Sequence, residues 1–219
     1  YLVAPDSFKE AASAQSVAQA MKRGILTADP YAECRLMPLS DGGEGLTDAL
    51  VHATGGDMRT VETVDALGRP VTARFGFLGN REDPDDAAGV RNHERIAVIE
   101  LASASGLERI SPADRDPLTA STFGTGETIR TAIEAGATRI LLGLGGSATT
   151  DGGTGLARAL GYRFLDRNGR ELEPGGGALT RLARIDDSAV SEAVKRMPIT
   201  LACDVTNPLT GEHGAARVF

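Results

Sequence analysis

Acidic residues in this 219-residue chain recur just past short apolar runs and beside glycine. Asp6 follows Tyr1-Leu2-Val3-Ala4. Asp41 and Glu44 follow Cys34-Arg35-Leu36-Met37, within Asp41-Gly42-Gly43-Glu44-Gly45. Asp151 comes just after Gly143-Leu144-Gly145-Gly146-Ser147, and Asp204 ends Ile199-Thr200-Leu201-Ala202-Cys203. Apolar runs of this length read as buried strands, and in open α/β sheets ligands bind at the carboxyl ends of strands. Separate segments would thus aim carboxylates at one crevice, where they repel one another unless a cation neutralises them. Mg²⁺ suits that role, because it takes oxygen ligands and commonly bridges substrate phosphates. A carboxylate left free of metal can take a proton from a hydroxyl nucleophile.

The glycines supply the complementary part. Gly145-Gly146-Ser147, after a buried strand, can present consecutive backbone N–H groups to an anion, and Gly42-Gly43 before a helix can do the same. Lys9, two residues from Ser7 in a strand-end loop, can meet a phosphate as a point charge. Glycine nests, a lysine and convergent acids together point to phosphoryl transfer. No G-x-x-x-x-G-K-[ST] run occurs, so this is not a P-loop protein.

The elements that must position these residues follow an α/β rhythm. A strand over 1–4 leads to a helix capped by Ser13 and running to about Thr27, with Val17, Met21 and Ile25 on one face. A second strand at 34–37 precedes the DGGEG loop and a helix that Gly55-Gly56 stops. Near residue 58 the texture changes. Val71, Ala73, Phe75 and Phe77 alternate with Thr72, Arg74 and Gly76 as a half-buried strand, residues 80–95 read as an exposed charged loop, and Ile96 to Leu101 is a continuous apolar strand ending in Glu100. The rhythm returns with a helix opened by Gly124-Thr125-Gly126-Glu127, a strand over 139–142, a helix over about 154–160, a strand over 162–165, a hairpin-type turn at Asp166-Arg167-Asn168-Gly169, a helix over 188–196 and a strand over 199–203. The fold class is α/β. The first 60 residues read as a parallel α/β layer, and a change of domain is expected near residue 60. Residue 1 is Tyr and both ends fall inside strand-like sequence, so the expectation is a piece of a longer protein.

Composition excludes several classes. Lysine and arginine number 23 against 30 acids, a net charge of −7, and no basic block offers phosphate neutralisation to a nucleic acid. No apolar run approaches the ~18 residues of a membrane span. Cys34 and Cys203 cannot build a disulfide framework and suit a reducing compartment, which points to the cytoplasm. His52, His93 and His213 share no metal-ligand spacing.

Taken singly, each motif has a plainer reading. A DGG is most often a turn, Asp6 fits an Asx-turn, and a lone lysine is most often solvated. Gly143-x-Gly145-x-x-Ala148 with Asp166 about twenty residues on matches a relaxed dinucleotide fingerprint, which makes an oxidoreductase a competitor. Against it, Asp151-Gly152-Gly153 interrupts the helix that the fingerprint needs, and Asp166 leads into a turn.

Five blocks in order span nearly the whole chain: Ala4-Pro5-Asp6-Ser7-Phe8-Lys9-Glu10, Ser40-Asp41-Gly42-Gly43-Glu44-Gly45, Gly124-Thr125-Gly126-Glu127, the run from Gly143 to Gly153, and the run from Cys203 to Gly211. This series resembles the type-1 bacterial glycerate kinases. The resemblance implies ATP- and Mg²⁺-dependent phosphorylation of D-glycerate, usually to 2-phosphoglycerate, in a cleft between two α/β domains of a longer chain: residues 1–60 would be the first part of a Rossmann-like parallel-sheet domain, and residues 61–219 a second α/β domain, incomplete at its C-terminal end. The expected partners are glycerate and a nucleotide, not nucleic acid or membrane, and a homodimer is one expected assembly. The expected catalytic residues are Asp41, Asp204 and Lys9, with the order of base and metal ligand open between the two acids. Ser7, Gly42, Gly43, Gly124, Gly126, Gly145, Gly146 and Ser147 are expected to bind substrate or phosphate, and Asp151, Asp41 and Glu44 to hold metal. Thr150 stands where the family usually has Asn, and Ser40 where it usually has Ala. The alternative is a catalytically incomplete fragment that binds an acidic metabolite.

Overall fold

The computed structural model describes residues 1–8, 11–40, 42–79, 94–203, 205–208 and 210–214. Strand β1 (Leu2–Val3) pairs in parallel with β2 (Arg35–Leu36), joined through helix α1 (Ala14–Ala28). The pairing runs on past both strands, where the Leu39 N–H donates to the Pro5 carbonyl at 2.9 Å. Ser13 caps α1 as expected, its hydroxyl accepting from the Ser16 N–H. The buried positions of α1 are Ala14 and Ala18, whereas Met21 is exposed. Two strands of two residues cover little more than one helical turn, so the expected stripe is not buried along its length. Helix α2 (Leu46–Thr54) follows the DGGEG run and ends at Gly55.

The larger sheet has the order β3-β4-β5-β6-β9. Its first strands, β3 (Asp57–Val64) and β4 (Pro70–Phe77), form an antiparallel hairpin, and β5 (Ile96–Glu100) adds antiparallel to β4. Helices α3 (Ala102–Ser105) and α4 (Phe123–Glu134) then cross to β6 (Arg139–Gly143), parallel to β5. Helix α5 (Thr154–Ala159), the antiparallel pair β7 (Arg163–Leu165) and β8 (Arg184–Asp186), and the short helix α6 (Glu192–Lys195) lead to β9 (Ile199–Ala202), parallel to β6. The alternation read in Val71 to Phe77 turns Ala73, Phe75 and Phe77 into the core with Ile99, Ile129 and Ile140. Burial of these side chains against α4 is the main apolar stabilisation of the sheet, at about 1.5–3 kcal/mol for each large side chain.

Strands β3 and β8 were not expected. Both are narrow-margin strands with exposed polar residues on either face, so neither carries a period-two signal. The expected helix over 188–196 contracts to α6, because Ser188 turns back to hydrogen-bond the Asp186 carboxylate and Ser191 caps the helix. Residue 60, where a change of domain was expected, lies inside β3, and α2 packs on β3, β4 and β5. Residues 80–93 of the expected charged loop lie outside the described residues. Among the described residues no helix is long and apolar enough to cross a membrane.

Candidate functional site

Three parallel strands end level with one another. Glu100 of β5 is in register with Gly143 of β6, and Gly143 with Ala202 of β9. The chain leaves each strand at the same edge, tied to its neighbour by Leu101 N–H to Gly143 O at 2.9 Å and Leu144 N–H to Ala202 O at 3.1 Å. This is the sheet edge at which α/β proteins bind ligands.

The Gly42–Gly45 run lies across that row. Gly145 donates its N–H to the Gly42 carbonyl at 3.3 Å. A Cβ on Gly143 would come within 2.5 Å of the Gly42 oxygen, and one on Gly145 within 2.5 Å of the Gly43 Cα. Gly42 itself has φ +97 and would set a Cβ 3.0 Å from the Ala202 oxygen. Only glycine permits this backbone-on-backbone contact. The Ser40 hydroxyl accepts the Gly42 N–H at 3.3 Å. At the far end of the run, Glu100 accepts the Thr47 N–H at 2.7 Å. Burial pushes the Glu100 carboxyl above the ordinary range, and the N–H groups of Thr47 and Gly45 offset part of that rise.

The loop after β6 is held from behind by α3. The Leu107 N–H donates to Gly146 O at 2.8 Å and the Ala148 N–H to Ser105 O at 3.0 Å. The Ser147 hydroxyl accepts the Thr149 N–H at 3.1 Å. Among the described residues no hydrogen bond uses the N–H of Gly146 or of Ser147. Gly146 is exposed, with φ +71. Two consecutive unbonded N–H groups at a strand end are the donor set that an anionic group such as a phosphate requires.

The structure divides the expected site residues. Gly42, Gly43, Gly145, Gly146 and Ser147 come together at one edge, although the Gly145 N–H is already engaged by Gly42. Glu44 sits in the same run and is exposed. Ser7 lies in the loop beyond β1, its N–H donating to the carboxylate of its neighbour Asp6 at 2.6 Å. Lys9, Asp41 and Asp204 lie outside the described residues. Gly124 and Gly126 are buried near the start of α4, where a Cβ on the first would strike the Val64 carbonyl at 1.9 Å and one on the second the Leu156 carbonyl at 2.4 Å. Their lack of a side chain lets α4 pack closely against Val64 and Leu156.

Asp151 is 1% exposed. Its Oδ2 accepts from the Thr122 and Gly155 N–H groups and the Thr122 hydroxyl, and its Oδ1 from the Gly153 N–H. With both oxygens engaged, this carboxylate joins the starts of α4 and α5. Thr150, beside it in sequence, donates its hydroxyl to the Pro117 carbonyl at 2.7 Å. Sequence reasoning missed Glu100 and Thr122 as part of this architecture. Only the placement of Glu100 at the tip of an apolar strand carried a signal.

The profile of the glycerate kinase family matches residues 1–219. The chain is 46% identical over 218 residues to a Bacillus subtilis (strain 168) protein named glycerate kinase, covering all of this chain and 54% of that one. It is 44% identical to the Escherichia coli (strain K12) protein named glycerate 2-kinase, again over 54% of that protein. The crystal structure of a Salmonella typhimurium LT2 chain carrying the description glycerate kinase 2 superposes with a TM-score of 0.81 at 46% identity, covering 99% of this chain and 55% of that one. This chain therefore spans about half the length of the curated relatives it matches.

Proposed function

From the premise that the chain belongs to the glycerate kinase family, we propose that the protein carrying it phosphorylates D-glycerate to 2-phosphoglycerate with ATP and Mg²⁺. The observation that best supports this reading is the row Glu100–Gly143–Ala202, crossed by the Gly42–Gly45 run and followed by the unbonded N–H groups of Gly146 and Ser147. A nucleotide phosphate fits that donor set, and those two N–H groups would hold its oxygens. Bound Mg²⁺ would neutralise phosphate charge and draw carboxylates toward it. The carboxylates proposed for it are Asp41 and Glu44.

Asp41 and Asp204 share the remaining roles. One takes the proton from the glycerate hydroxyl and the other assists the metal. In sequence Asp41 adjoins Gly42 of the converging backbone, and Asp204 comes two residues after Ala202. Lys9 and Ser7, carried past β1, would stabilise charge on the transferred group and bind the glycerate carboxylate. We assign the protein to the cytoplasm and residues 1–60 to the first of two α/β domains, on the sequence grounds given above.

A coupled assay of ADP release by the full-length protein, with and without D-glycerate and with Mg²⁺ present or chelated, tests the activity. Asp41→Asn and Asp204→Asn are each expected to cut kcat by about a hundredfold or more with the fold retained. Near-normal turnover in both variants overturns these assignments. Titration calorimetry that detects glycerate and nucleotide binding without ADP release favours a binding protein over a kinase.

A further inference from the structure

Glu100 contacts the first turn of α2, at the opposite end of the Gly42–Gly45 run from the glycine contacts. At its Gly42 end the run rests on Gly145 and Ala202. At its Gly45 end α2 begins, and the residue in the N-cap place, Gly45, has no side chain to satisfy the first-turn N–H groups. A helix start left in that state is costly unless another group accepts from it. The Glu100 carboxylate does so from a different element, 53 residues away in sequence, at 2.7 Å from the Thr47 nitrogen. A carboxylate is also the group that the positive end of a helix dipole favours.

We propose that Glu100 is a positioning residue for the reaction. By accepting from the first turn of α2, it fixes the height of residues 42–45 above the ends of β5, β6 and β9. Four residues clamped at both ends have little freedom, so Glu44 within them inherits its placement from both clamps. Release of the Glu100 clamp leaves the Gly42 end seated and lets the Gly45 end ride up, which degrades alignment more than substrate affinity. The inference rests on the kinase reading above.

The test uses the full-length protein with three variants, E100Q, E100D and E100A. Glutamine keeps a carbonyl oxygen at the same reach, whereas aspartate is one methylene too short. The expected result is a kcat at least about tenfold lower in E100D and E100A, with KM for D-glycerate within about threefold of wild type and substantial recovery of kcat in E100Q. Amide hydrogen exchange should be faster at Gly45 and Thr47 in E100A than in wild type, and close to wild type in E100Q. The inference is overturned if all three variants keep the wild-type kcat, or if each loses activity only in proportion to its unfolded fraction. If the wild-type protein forms no ADP with glycerate, the kinase reading fails separately. The exchange of the Gly45 and Thr47 amides then decides alone whether Glu100 clamps the run, and unchanged exchange in E100A ends the proposal.

Discussion

The Asp151 carboxylate accepts both the backbone N–H and the hydroxyl of Thr122, at 2.8 and 2.9 Å on the same oxygen. The Thr122 hydroxyl in turn accepts the Leu156 N–H at 2.8 Å. Two helix starts are thereby satisfied by two side chains. Asp151→Ala leaves N–H groups of Thr122, Gly153 and Gly155 without an acceptor in a buried place. The expected loss is about 3 kcal/mol or more of unfolding free energy, and Thr122→Val should cost about 1–2 kcal/mol. Urea unfolding of the full-length variants measures both, and a fully stable Asp151→Ala protein would show that the clamp carries no weight.

Gly145 tests the backbone contact directly. Gly145→Ala places a methyl group against the Gly43 Cα and must lift the DGGEG run from the sheet edge. The expected consequence is a fall of about a hundredfold in kcat/KM for MgATP. A steady-state titration of MgATP at saturating glycerate reads it.

Gly24 is the contrasting case. It lies within α1, and a Cβ there would meet nothing within 4 Å. Gly24→Ala should raise stability by about 0.5–1 kcal/mol, mostly by restricting the unfolded chain, and should leave turnover unchanged. Thermal unfolding and the ADP assay check the two halves of this expectation.

Two carboxyls should bend the pH dependence of stability in opposite directions. Burial alone would raise Asp65, but the Arg69 N–H and guanidinium and the Leu67 N–H outweigh it and hold the carboxyl below its ordinary value of 3.8. A depressed native pKa means stability that is present above pH 3.8 and lost as pH falls through the native value. Glu100 is the reverse case. Its carboxyl is raised from 4.5, so the native state binds the extra proton, and stability declines as pH rises from 4.5 through the raised value. Asp65→Asn should flatten the acid limb, and Glu100→Gln should flatten the decline above it, in unfolding curves recorded across pH 3 to 8.

What the sequence made legible follows from the kind of signal each element carries. β4, β5 and β6 were readable because a sheet covered by α4 needs alternating or continuous apolar runs, and α1 because Ser13 caps it. β3 was not, since one of its neighbours is solvent and its side chains, such as Asp57, Arg59 and Glu62, are polar and exposed or nearly so. The gathering of Gly42, Gly145 and Gly146 at one edge was foreseeable from strand-end placement. The parts of Asp151, Gly124 and Gly126 were not. The Asp151 hydrogen bonds and the close packing at Gly124 and Gly126 depend on segments distant in sequence, at Thr122, Val64 and Leu156, which leave no local signal.

The edge position of β9 has a kinetic consequence. Pairing of Leu142 with Leu201 closes a long span of chain, and such non-local closure is slow to form. During synthesis the Gly42 run must wait for Ala202 to leave the ribosome before it gains that support. Nucleotide added to a nascent chain halted before residue 199 should therefore find no seat, however well folded the earlier strands have become.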